Sequence, residues 1–166
     1  MDLSLMETQT LSSNKTVGDP YLHLQIDSQT QILLPMIATQ EVLITPVSRL
    51  TMMPNMPACF LGLLNQRSRI FWVIDLGKLL SLQPLSSDIQ EYSIAIIRLG
   101  KMALGLAVEK VQGVIRCPKE RIQSPIGTVE SNLVPYLQGC IVQKKQIFLI
   151  LDPEAIVNSP VLRRDH

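Results

Sequence analysis

The chain has 166 residues, room for one domain at about 150 residues per domain, and its 15 Lys and Arg against 14 Asp and Glu leave a net charge of +1. A balance so near zero gives no electrostatic ground for nucleic acid or an anionic membrane as partner, and 4% aromatic residues make no stacking platform for single strands. Leu, Ile and Val supply 54 residues, which excludes disorder over most of the length, and charged residues or prolines break every apolar run before it could span a membrane.

Residues 1–18 are rich in Ser, Thr, Asn and Gln and carry Asp2 and Glu7, so they read as a flexible tail and not as a signal peptide. Tyr21–Ile26 alternates as a half-buried strand does, Asp27–Gln29 suits a turn, and Gln31–Leu34 is the returning strand. Val42–Thr45 predicts a third strand, closed by Pro46, and Met53–Pro57, with two prolines, a loop. Arg69–Ile74 is a buried strand, followed by Asp75, placed to cap a helix over Leu76–Leu82. Residues 83–90 form a polar connector. Further strands are predicted at Ser93–Leu99, Ala103–Val108, Val111–Cys117, Leu137–Val142 and Gln146–Leu151, with a long loop at Pro118–Asn132. Asp152 and Pro153 open a last short helix, Glu154–Val157, and residues 159–166 read as a C-terminal tail. Many short strands separated by turn signals point to an all-β barrel or sandwich.

Few residues are suited to catalysis. Cys59, Cys117 and Cys140 are widely spaced in apolar company, as small buried hydrophobes of a reducing compartment are. His23 and His166 are the only histidines, and the glycines lack phosphate-loop spacing. No metal, nucleotide or flavin is expected, and the chain reads as soluble and cytoplasmic.

An internal repeat organises the chain. Residues 60–80 slide by 77 onto 137–157 without gaps, matching Gly62 to Gly139, Gln66 to Gln143, Ile70 to Ile147, Phe71 to Phe148 and Asp75 to Asp152, with Arg67 on Lys144. An offset of 71 sets Tyr21 on Tyr92. Each half then supplies about five strands, enough for one small barrel. The expected unit is residues 19–158, with barrels at roughly 19–82 and 91–158 and strand exchange between them allowed.

The first copy carries a family pattern. Met56-Pro57, Phe60-Leu61-Gly62, Asn65-Gln66-Arg67 and Val73-Ile74-Asp75-Leu76 resemble the signature of CheW-like chemotaxis adaptors, and Gly105 to Val111, with Glu109 before the turn, looks like its second half. Trp72 and the run Asp75 to Leu80 look most like adaptors of cyanobacterial gliding and phototaxis systems. One departure stands out: the family's Arg-Gly is Arg67-Ser68 here, and a positive φ at that turn would strain Ser68 by about 1 kcal/mol. The resemblance implies two five-stranded SH3-like β-barrels related by a pseudo-twofold axis, all-β with short helices, and a hydrophobic groove between the barrels. It implies no catalysis and no cofactor. It also implies two partners, the regulatory domain of a CheA-type histidine kinase and the cytoplasmic tip of a methyl-accepting chemoreceptor, recruiting the protein to membrane-associated arrays without membrane insertion. A chemotaxis, phototaxis or pilus-motility output fits equally; the alternative is a competitor that occupies array positions without coupling receptors.

The resemblance singles out five residues. Arg67, in a turn, reads as a solvated charge or ion pair, or as a planar fork for partner groups at the groove. Glu41, before a strand, matches an acidic position near the receptor surface and otherwise is an ordinary exposed charge. Asn65 either bonds the adjoining backbone or joins the binding surface. Ile94 and Ile96 share a strand face that is core or, beside the groove, partly exposed for docking. Trp72 reads as core, and Asp75 and Asp152 as helix caps.

Overall fold

The computed structural model describes residues 18–162. Residues 1–17 and 163–166, which hold most of the two expected tails and His166, lie outside the described residues. In chain order the strands are β1 (Asp19–Gln25), β2 (Gln31–Pro35), β3 (Thr39–Pro46), β4 (Phe60–Gln66), β5 (Arg69–Asp75), β6 (Glu91–Leu99), β7 (Met102–Val108), β8 (Lys110–Cys117), β9 (Leu137–Gln143) and β10 (Gln146–Leu151). Two one-turn helices, α1 (Leu76–Leu79) and α2 (Pro153–Val157), follow β5 and β10.

The strands form two curled five-stranded sheets, ordered β8-β1-β2-β10-β9 and β3-β6-β7-β5-β4. Each mixes one parallel contact (β10 with β2, β5 with β7) into an antiparallel set. The second sheet is the contiguous stretch 39–108, whereas the first joins β1 and β2 to β8, β9 and β10. The barrels therefore do not follow the chain halves 19–82 and 91–158. The repeat is real in strand order, with β1 to β5 matching β6 to β10, but each half lends its first two strands to the other half's sheet. Register makes one further correction. The extra residue of the bulge is Gln40 in one sheet, where Glu41 lies opposite Ile96, and Gln112 in the other, where Gly113 lies opposite His23. His23 thus corresponds to Ile96 and Tyr21 to Ile94, so the Tyr21–Tyr92 identity is a coincidence of letters.

Local chemistry explains the elements. Asp27 accepts from the backbone N–H of Gln29 and Thr30, both at 2.8 Å, and turns the chain from β1 to β2. The buried Asp75 carboxylate accepts from Lys78 N at 3.2 Å and Leu85 N at 2.9 Å, starting α1 and pinning the connector. Asp152 does the same for α2 through Glu154 and Ala155. α1 ends at Leu79, three residues before the expected Leu82, because Ser81 takes a φ of 60°.

Three apolar clusters hold the fold. One fills the barrel of β1 with Leu33, Ile115, Ile141, Phe148 and Ile150, and another fills the second barrel with Leu64, Phe71, Val73, Ile94 and Ile96. The largest joins the sheets, packing Leu22, Leu24, Ile32, Leu34 and Leu149 against Ile74, Ala95, Ile97, Leu104 and Leu106, with the helices. Where an open groove was expected between the barrels, most of the junction is packed core.

Candidate functional site

β3 and β4 are the two edges of the second sheet, and curling brings the segment after β3 onto β4 at a bridge where Thr51 and Leu63 exchange hydrogen bonds of 2.9 and 2.8 Å. At the open end of this barrel the start of β3 faces the β4–β5 hairpin. A cleft of about 450 Å³ forms there, lined by Gln40, Glu41, Gln66, Arg67, Arg69 and Phe71. Glu41 and Arg67, distant in sequence, thus share one polar cleft. Glu41 is half-buried, whereas Arg67 and Arg69 are exposed.

Two backbone features aim these side chains. The bulge at Gln40 breaks the alternation of β3 just before Glu41, and Arg98 Nε on β6 donates to the Gln40 side-chain carbonyl. In the hairpin, Arg67 and Ser68 take φ values of 53° and 65°, as the central pair of a type I′ turn between Gln66 and Arg69. Sequence reading did not find Gln40, Arg69 or Arg98. No sequence signal marks the bulge, which shows only against its partner strand; the other sheet repeats the device with Gln112 as extra residue, donating to Gln25. Only one copy carries the carboxylate and the pair of arginines, because Gly113, Lys144 and Gln146 replace Glu41, Arg67 and Arg69 in the other.

The remaining expected residues are placed differently. Ile94 and Ile96 are both 0% exposed and point into the barrel, so they offer nothing to a partner. β6 pairs with β3 and β7 along both edges, and its two faces pack into the barrel core and the junction between the sheets. The exposed apolar row is one strand over, on the edge: Val42 at 41% and Ile44 at 67%, opposite Ala95 and Ser93. Asn65 is exposed opposite Ile70, and its amide makes no hydrogen bond to the adjoining backbone among the described residues. Trp72 is only half-buried, its ring edge-on to Phe60 with centroids 5.1 Å apart.

Burial raises the pKa of all three thiols, keeping them protonated, and lowers that of His23, against which a hydrogen bond with Gln31 works only in part. Among the described residues no three His, Cys, Asp or Glu side chains gather as metal ligands. The arrangement suits recognition: a fork of arginines beside one carboxylate, on an exposed apolar edge.

The sequence model of the CheW-like domain matches residues 20–161. The chain belongs to the CheW-like domain family. Similar proteins include "Probable chemotaxis protein CheW" of Rhizobium etli, 27% identical over 110 residues, 66% of this chain and 70% of that one. "Chemotaxis protein CheW" of Treponema pallidum is 26% identical over 114 residues, 67% of each. The crystal structure of the scaffolding protein TtCheW from Thermoanaerobacter tengcongensis shares the fold, with a TM-score of 0.69 at 22% identity over 82% of this chain and 90% of that one. Two SH3-like barrels are thus the CheW-like architecture of this chain, and the signature Gly62 to Arg67 forms its β4 and the turn into β5. No helix among the described residues is long and apolar enough to cross a membrane.

Proposed function

We propose that the protein is a non-catalytic chemotaxis adaptor, joining the cytoplasmic tip of a methyl-accepting chemoreceptor to the regulatory domain of a CheA-type histidine kinase. Family membership supports the adaptor role, and the observation that carries the assignment of a surface is the cleft that unites Glu41 with Arg67 beside Val42 and Ile44. A helical receptor tip offers an apolar stripe flanked by charge, and an exposed β-edge rimmed by arginines and one carboxylate complements it. Asn65, exposed on the same hairpin beside the cleft-lining Gln66, is assigned to the margin of this surface. The charges set orientation and encounter rate, and the apolar row supplies affinity. The protein works in the cytoplasm and reaches the membrane only through receptors.

Arg67→Glu tests the assignment. The side chain is exposed, so reversal changes stability by less than about 0.5 kcal/mol. Receptor-coupled kinase control in a deletion background is expected to fall while the thermal midpoint and kinase binding hold. Unfolding of the variant makes Arg67 structural, and unimpaired coupling removes the cleft from the receptor surface. Wild-type protein that fails to restore control marks a competitor in place of a coupler.

A further inference from the structure

The two halves differ most in one connection. From the Thr51 bridge to β4 the chain uses residues 52–59; from the matching Gln123 bridge to β9 it uses residues 124–136, thirteen residues against eight. The longer connection carries apolar cover: Leu133 is 6% exposed and Val129 packs beside it, in the cluster that buries Leu137 at 8% and Leu149 at 5%. Phe60 and Trp72 occupy the positions of Leu137 and Leu149 in the other half, and both are half-buried. Over them lies an apolar cavity of about 230 Å³ whose wall includes Met56, Met102, Leu104 and Leu162. A smaller hollow on the same two rings is lined by Met52 and Met53. Four of the seven methionines thus surround one pair of rings, with Met52 83% and Met102 56% exposed. Unbranched thioether side chains re-pack around varied apolar shapes and favour aromatic neighbours.

We propose that this cavity is a docking site for a short apolar turn of a partner protein, whose Leu- or Val-sized side chains cap Phe60 and Trp72 as Leu133 and Val129 cap the matching pair. The occupant follows from internal symmetry: the same framework position is covered by a single-turn segment where the connection is long enough and, among the described residues, left open where it is short. The site is separate from the Arg67 cleft and does not depend on its assignment.

Trp72 is the only tryptophan, so its emission reports the cavity directly. The probe is a synthetic peptide of residues 124–136, added to the full chain. Its binding is expected to be saturable and to shift Trp72 emission to shorter wavelength, and the same peptide with Val129→Asp and Leu133→Asp is expected to give no shift. Met102→Glu, a change at an exposed rim position, is expected to weaken the peptide at least tenfold with an unchanged thermal midpoint. Grafting residues 124–135 in place of 52–58 is expected to reproduce the shift and abolish the peptide's effect. No saturable shift at millimolar peptide, an equal shift from the Asp peptide, or no effect of Met102→Glu overturns the proposal. So does concentration-dependent dimerisation that buries Trp72, which makes a second copy the occupant.

Discussion

Ser68 stands at φ 65° in a two-residue turn whose other member, Arg67, is also left-handed. For an L-residue with a side chain this conformation costs about 1–2 kcal/mol, because Cβ crowds the backbone carbonyl. The chain accepts that cost where the family pattern has glycine, and the hairpin still forms with Gln66 paired to Arg69. Glycine would relieve the strain but lose more backbone entropy on folding, so the gain from Ser68→Gly is a net of about 0.5–1 kcal/mol. The urea midpoint is expected to rise accordingly with an unchanged slope. A fall would mean that the Ser68 hydroxyl contributes more than its strain costs. Receptor coupling is expected to survive, since the path of the turn is kept and the direction of Arg67 with it.

At the scale of elements, the two sheets are one design executed twice with different side chains. Alternation and turn residues disclosed most strands within two or three residues of their ends, and the capping aspartates disclosed both helices. β4 was not predicted as a strand in its own right, because the bulge at Leu61 breaks its alternation; only the repeat pointed to it. Periodicity showed that Ile94 and Ile96 share a face but not that β6 is central, since strand order is a property of long-range pairing. Glu41 and Arg67 were legible as a charged pair, but at a groove between the barrels, whereas they meet at the open end of one barrel; the Gln40–Arg98 support was hidden because a bulge has no signature without its partner strand. The matched positions also differ in chemistry. His23 takes the place of Ile96, 8% exposed against 0%, with its ring 5.5 Å from Phe148. Burial holds its pKa below the ordinary 6.5 in the folded protein. The unfolded chain therefore takes up the proton first, and stability complete above about pH 6.5 is lost as pH falls from there toward the lowered folded value. His23→Ile copies the other barrel and removes this group. The urea midpoint of wild type is expected to drop more than that of His23→Ile between pH 7.5 and 5.5, and parallel pH profiles would clear His23 of any part in the acid response.

At the scale of the whole molecule, the barrel of residues 39–108 is inserted into the other, which closes only when β1 and β2 meet β8 and β10. Few residues link the two: 36–38 on one side, Glu109 on the other. Covalent connection therefore does little to couple them, and the shared cluster does most of it. Ile74, Ala95, Ile97 and Leu106 on one sheet and Leu24, Ile32 and Leu34 on the other are each almost fully buried at the junction. Exposing such a face costs about 25 cal/mol per Å² of apolar surface, a penalty no single barrel of this size can carry. The intact chain is thus expected to unfold in one transition, with calorimetric and van't Hoff enthalpies equal. A cut between the repeats makes a harder demand. Residues 18–82 hold β1 to β5 and residues 83–162 hold β6 to β10, yet each barrel needs strands from both pieces. Each fragment alone is expected to lack near-ultraviolet circular dichroism and cooperative melting, and an equimolar mixture to recover both. A fragment that melts cooperatively by itself would show that five consecutive strands can close on one another, against the exchanged topology.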